Sequence, residues 1–125
     1  MSNSHVLLLV AHGSRGQMAN DEVRQLTARL SQKLEPGRVK VECAFLELAA
    51  PSIPSSIDQA VTRGARRITV LPYFLVAGRH VAVDIPKLVN QKSSEYPDVD
   101  IQLSEYLGAT DCVDMLSDMV KRAIA

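Results

Sequence analysis

Apolar and polar positions alternate between two periods along this chain. Continuous apolar runs such as Val6-Leu7-Leu8-Leu9-Val10 have the form of strands buried on both faces. Other stretches place apolar residues three and four apart, the spacing of an amphipathic helix. The two kinds of segment follow one another four times, which predicts an α/β fold: a four-stranded parallel sheet with helices on both faces. Four such units use up residues 1–125, so one lobe and a single domain are expected.

The first run ends at His12-Gly13-Ser14-Arg15-Gly16, a loop at the C-terminal end of its strand. Val23, Leu26, Leu30 and Leu34 then recur at helical spacing, and Pro36-Gly37 is the expected stop. A second strand is predicted over residues 39–46. Glu47-Leu48-Ala49-Ala50 leads on to Ser52, a helix cap, with Pro54 tolerated in the first turn. Ile53, Ile57, Ala60 and Val61 supply that helix's buried stripe, and Gly64 ends it. The third strand is predicted over residues 67–74. Pro72 lacks a donor for the ladder, so the sheet must end near it, where Tyr73 and Phe74 leave. Asp84-Ile85-Pro86 has the form of a capped helix start, followed by inward Leu88 and Val89. A last strand near residues 99–103 and a helix from about Thr110, with Val113, Leu116 and Val120 inward, complete the lobe.

Composition narrows the function classes. With 125 residues, 46% of them hydrophobic, the chain can bury a core without disulfide or metal staples. Fourteen basic residues balance fourteen acidic ones, so no global field draws nucleic acid or an anionic membrane, and 4% aromatic content leaves few stacking platforms. Neither nucleic acid nor membrane is expected as a partner. Cys43 and Cys112 lack the spacing of a zinc knuckle or redox pair and read as buried or idle thiols. The apolar run at 6–11 is too short for a signal segment or a span, and residues 1–5 carry no Lys or Arg, which makes the cytoplasm the expected location.

In open parallel sheets, ligands bind outside the carboxyl ends of the strands, where adjacent connections diverge. His12 follows the first strand, Glu47 the second and His80 the third, so three potential ligands from distant positions are expected on one rim. Two imidazoles and a carboxylate suit Co²⁺, Fe²⁺ or Ni²⁺ alike, and so sparse a set holds an ion that it can still surrender. Read alone, each residue has a plainer role: Glu47 as a helix cap, a loop histidine as a solvated side chain. His5 lies at the opposite rim and reads as an ordinary surface residue, and Arg66 and Arg67 as solubility charges. Arg15 and Arg79 flank the two histidines and can hold carboxylates, with Ser14 as a further anion donor through its hydroxyl and backbone. Gly13 and Gly16 lack the third glycine of a dinucleotide loop, there is no Gly-Lys-Ser/Thr element, and Ser14 sits in no nucleophile elbow. His12-Gly13 stands where a Mg²⁺-holding phosphoryl-transfer domain would carry an acidic cluster.

Three separated motifs, Leu-Leu-Val-Ala-His-Gly-Ser-Arg at 8–15, Phe-Leu-Glu-Leu-Ala-Ala-Pro-Ser-Ile at 45–53 and Pro-Tyr-Phe-Leu-Val-Ala-Gly-Arg-His-Val-Ala-Val-Asp-Ile-Pro at 72–86, resemble the small CbiX/SirB family over nearly the whole chain. The resemblance implies a chelatase-like lobe and a class II chelatase that inserts cobalt or iron into sirohydrochlorin, on the way to cobalamin or siroheme. It implies His12 and His80 as the paired metal-binding and proton-accepting histidines and Glu47 as the acidic residue beside them. Ser14, Arg15 and Arg79 would meet the macrocycle's carboxylates and Leu48, Phe74 and Val76 its ring, with Gly78 a further substrate-binding position. No organic cofactor is implied; the divalent metal is a substrate. Most chelatases of this class carry two lobes in one chain. This sequence shows one set of motifs and no internal repeat, which implies a homodimer with the cleft between two copies. A metal or tetrapyrrole carrier on the same lobe is the alternative expectation.

Overall fold

The computed structural model describes residues 4–34 and 37–125. Strands β1 (His5–Ala11), β2 (Lys40–Phe45), β3 (Arg67–Pro72) and β4 (Asp100–Leu103) form one parallel sheet in the order β2-β1-β3-β4. Helices α1 (Gln17–Lys33), α2 (Ile53–Thr62), α3 (Ile85–Glu95) and α4 (Val113–Ile124) follow the strands in turn. A π-helical turn (His80–Asp84) runs directly into α3, and a 3₁₀ turn (Leu107–Ala109) precedes α4. The α/β sheet expected from the hydrophobic pattern is therefore present, each strand close to its expected bounds.

Register explains why β1 reads as one unbroken apolar run. Val6, Leu8 and Val10 stand beside Ile68, Val70 and Pro72 on one face of the sheet, where they pack with Ile57 of α2 and with Ile85 and Val89 of α3. Leu7 and Leu9 point to the other face beside Val41 and Cys43, the side on which α1 lies against β2. From Leu8 onward both faces of β1 are thus shielded from water, while Leu7 is half-buried, and each fully buried Leu, Ile or Val contributes about 1.5–3 kcal/mol. Ser52 caps α2 as expected, its hydroxyl accepting from the Ser55 N–H at 3.2 Å. β3 ends at Pro72, and the Tyr73 N–H donates to the Val10 carbonyl at 2.7 Å as the chain turns out of the sheet.

Three expectations need correction. In α1 the fully buried residues are Asn20 and Thr27, whereas Val23, Leu26, Leu30 and Leu34 are only half-buried. The helix ends at Lys33, and Pro36, its expected stop, lies outside the described residues. Asp84 is no helix cap: its backbone is already helical and its side chain makes no capping bond, because the π-helical turn feeds α3 without a break. Finally, α4 forms with a clean apolar stripe, yet Val113, Leu116 and Val120 are 67%, 54% and 52% exposed and no residue of the helix is buried. Amphipathicity dictates that a helix has an apolar side; it does not say which surface covers it.

A polar clamp ties α2 to α3 on the covered face. The Lys92 ammonium donates to Asp58 at 2.8 Å and pairs with Glu95 at 2.7 Å, while the Tyr96 hydroxyl donates to the same Asp58 oxygen at 2.7 Å. The hydrogen bond from Lys92, and after it that from Tyr96, holds the Asp58 carboxyl below its ordinary value. A depressed folded-state value stabilises the fold above the unfolded carboxyl's 3.8, and that contribution fades as pH falls below it. Asp58 is nearly half exposed, so water screens the pair. Asp58→Ala is expected to cost about 1 kcal/mol at neutral pH in urea titrations, with the difference from the parent shrinking near pH 3. An equal loss at both pH values would show that the charge is not what stabilises.

Candidate metal centre at the strand ends

Strand order places the candidate ligands. β1 sits between β2 and β3, so the loops leaving these three strands emerge side by side, about 4.8 Å apart from strand to strand. Ladder bonding continues past the strands, with Leu46 N–H donating to Ala11 at 2.9 Å and Glu47 N–H to His12 at 3.0 Å. The first and second loops are thereby held in register up to the side chains of interest.

Gly13 makes this close approach possible. Its φ is +97°, and a Cβ there would collide with the Glu47 carbonyl oxygen. On the other side of the β2–α2 loop, Arg24 of α1 donates to the Ala50 carbonyl at 3.2 Å and lies 5.2 Å from the centre of the Phe45 ring. Leu48 takes a positive φ of 67° at the loop's tip, which turns its side chain into solvent. Asn20, buried in α1, accepts from the Ser14 N–H at 3.0 Å and donates to the Ser14 carbonyl at 2.7 Å. Its polarity satisfies both backbone groups of a loop that could not otherwise close.

Among the described residues, His12, Glu47 and His80 form a cluster whose ligand atoms all lie within 4.8 Å of one another. His12 Nε2 is 3.0 Å from Glu47 Oε2, and the two imidazole centres are 5.0 Å apart at an interplanar angle of 56°. Each imidazole is held from behind. His12 Nδ1 donates to the Gly13 carbonyl at 2.9 Å, and His80 Nδ1 meets Asp84 Oδ2 at 2.9 Å. These oxygens only accept, so each Nδ1 carries the hydrogen and each Nε2 is left to face the cluster. His12 Nε2 and Glu47 Oε2 are the pair of atoms that an arriving cation would meet there. The side chains of all three are roughly half exposed, which leaves the site open to exchange.

Other anticipated contacts divide. Arg15, Gly78 and Arg79 are exposed on the two histidine-bearing loops, and Arg79 Nε approaches Asp84 Oδ1 at 4.0 Å. The Ser14 N–H is spent on Asn20 and is not a free anion donor; the Ser14 hydroxyl accepts from Gly16 N–H at 3.0 Å and keeps its own hydrogen to donate. Leu48 and Val76 are exposed beside the site, while Phe74 leans into the core and presents only part of its ring. Leu75, which the sequence did not single out, is 69% exposed next to Val76. Gly108 presses on the Leu75 backbone where a Cβ would collide, and its N–H donates to the Phe74 carbonyl at 2.9 Å, which fixes the loop. His5 is not an idle surface group: its Nε2 bonds Thr69 Oγ1 at 2.9 Å at the far end of the sheet, and burial, then Arg67, keeps its imidazole below the ordinary value. Asp84 is the residue the sequence reading misplaced; its position four after His80 was the available signal.

A family model described as CbiX matches residues 6–123. The sirohydrochlorin ferrochelatase of Arabidopsis thaliana chloroplasts is 31% identical over 95% of this chain and 52% of its own length. The sirohydrochlorin cobaltochelatase of Sulfolobus acidocaldarius is 30% identical over 95% of this chain and 92% of its own. The chain thus spans about half the length of some curated relatives and nearly all of another. Among solved structures, a putative cobalamin biosynthesis CbiX protein from Marinobacter aquaeolei superposes with a TM-score of 0.80 at 29% identity, covering 96% of this chain and 94% of that one. The sirohydrochlorin chelatase SirB of Bacillus subtilis in complex with cobalt gives 0.74 at 29% identity, over 82% of this chain and 43% of that one.

Gly13→Ala tests how the ligands are brought together. Relieving the collision must separate the two loops, so Co²⁺ affinity by calorimetric titration is expected to fall about tenfold or more, in line with ~1–3 kcal/mol of backbone strain. Unchanged affinity in a folded variant would show that the close approach is dispensable.

Proposed function

Because the chain belongs to the CbiX family, we propose that it is a sirohydrochlorin chelatase, inserting Co²⁺ or Fe²⁺ into the macrocycle with release of two inner-nitrogen protons. The observation that carries this reading is the cluster of His12, Glu47 and His80, three donors on one open rim. Names of relatives support both metals, and imidazole with carboxylate does not choose between them. No organic cofactor enters the reaction; the ion is a substrate.

On this reading His12 and His80 hold the ion through Nε2 while Glu47 balances its charge. As the ion passes into the macrocycle the same groups become free to accept the pyrrole protons, which is general-base chemistry suited to imidazole near neutral pH. Arg15, Arg79 and the Ser14 hydroxyl pair with the macrocycle's peripheral carboxylates, and Leu48 and Val76 lie along the ring. Gly78 keeps the third loop free of a side chain beside them.

A flat macrocycle needs two walls, and one lobe offers one rim. The proposed assembly is a homodimer of single-domain lobes, with the cleft between copies. The exposed apolar stripe of α4 and the exposed Leu75 and Val76 support it, since a second copy would cover apolar surface that this chain leaves in water. The thiols of Cys43 and Cys112 are free, which fits a cytoplasmic location. Among the described residues no helix is long and apolar enough to cross a membrane.

Anaerobic mixing of protein, sirohydrochlorin and Co²⁺, followed by absorbance, tests the proposal. The parent is expected to exceed the spontaneous insertion rate, and His80→Ala to return to it while binding macrocycle about as tightly as before. A parent that binds both substrates without accelerating insertion is a carrier, and the enzymatic reading fails. Light scattering on the same sample is expected to give twice 13.7 kDa; a mass of one chain at working concentration would remove the second wall.

A further inference from the structure

We propose that Asp84 is a positioning residue that fixes the tautomer and orientation of His80, so that its Nε2 lone pair faces the cation. The inference rests on the metal-site reading above and adds to it a residue outside the ligand cluster.

The two imidazoles of the cluster are held in different ways. His12 uses the carbonyl of its own neighbour, Gly13, at 2.9 Å, a contact that comes with the loop. His80 has no such backbone acceptor; its Nδ1 is held at 2.9 Å by the Asp84 carboxylate. Across residues 80–84 the backbone is π-helical, and the Ile85 N–H reaches back to the His80 carbonyl. Isolated π turns of this kind are frequent at functional sites. Here the turn carries both His80 and Asp84.

Among the described residues, His80 makes the one hydrogen bond to this carboxylate, with Arg79 a looser ion pair. Asp84 makes no helix-capping bond although it immediately precedes α3. One oxygen, Oδ2, faces His80 and the other, Oδ1, faces Arg79 at 4.0 Å, so the group is oriented from two sides. The His80 side chain is 41% exposed, and packing alone does not lock a ring so open to water. A free imidazole exchanges between tautomers, and only one of them leaves Nε2 unprotonated toward Glu47 and His12. The carboxylate selects that tautomer and stops ring rotation, as outer partners do for metal-binding histidines in general.

The test compares Asp84→Ala, which removes the acceptor, with Asp84→Asn, whose amide oxygen can still accept from Nδ1. Co²⁺ affinity without macrocycle is read by titration. The His80 tautomer is read by nitrogen-detected NMR on ¹⁵N-histidine-labelled protein in alkaline buffer. The parent is expected to show a protonated Nδ1 and a bare Nε2. Asp84→Ala is expected to lose about 10–100-fold in affinity and to shift the tautomer toward Nε2–H, with Asp84→Asn recovering most of both. An alanine variant with parental tautomer and affinity overturns the proposal. So does an asparagine variant as weak as alanine with the tautomer unmoved, which would mean that bulk charge alone matters. If the alanine variant is unfolded by circular dichroism, the asparagine variant decides: retained tautomer and affinity support the positioning role, and loss of either overturns it. Neither readout involves insertion, so a parent inactive as a chelatase would sink the functional reading and leave this one standing.

Discussion

Parallel pairing of β1 with β2 on one side and β3 on the other is the constraint from which the site follows. Register is fixed because β1 is buried on both faces: slipping it by one residue would exchange Val6, Leu8 and Val10 with Leu7 and Leu9 against surfaces shaped for the other set. With that register set, the loops after β1, β2 and β3 leave the sheet as neighbours. In an order β1-β2-β3 the first and third loops would be separated by a strand, roughly 10 Å apart at the backbone. In the observed order the two histidine-bearing loops leave neighbouring strands, and their imidazole centres stand 5.0 Å apart.

Around this frame the loops are shaped by a few local requirements. Gly13 permits contact between two backbones, Asn20 satisfies the loop that follows, and Gly108 lets the last loop press on Leu75. None of these residues belongs to the cluster of His12, Glu47 and His80, yet each shapes the loops beside it. The three clustered side chains are half exposed, which on the proposed reading suits an ion that must be passed on. Core burial supplies the stability and the rim remains free for chemistry.

Much of this was legible in the residues. The unbroken apolar run of β1, Ser52 before a proline-containing first turn, and Pro72 at the end of β3 each have one natural structural meaning, and each took it. His12, Glu47 and His80 were legible as strand-end residues because the rule for parallel sheets concerns topology rather than detail. What failed was of three kinds. Val113, Leu116 and Val120 form a real apolar stripe, but burial depends on a surface elsewhere, which helical periodicity does not encode. Asp84 before Ile85-Pro86 has the residue pattern of a helix cap, and it gives the same pattern when a π turn continues into the helix and the carboxylate bonds a histidine. Asn20 and Thr27 were passed over because a polar residue on a buried face looks like an error until its partner is known: the Ser14 backbone for one, the Val23 carbonyl for the other.

The central claim is that one cation is held by two imidazoles and a carboxylate that come from three successive strand ends. X-ray absorption at the cobalt edge of the Co²⁺-loaded protein reads that shell directly. The account predicts imidazole multiple scattering from two rings, with Co–N near 2.1 Å as for comparable divalent sites, and light oxygen scatterers completing the shell. An all-oxygen shell without imidazole scattering would place the ion elsewhere and contradict it.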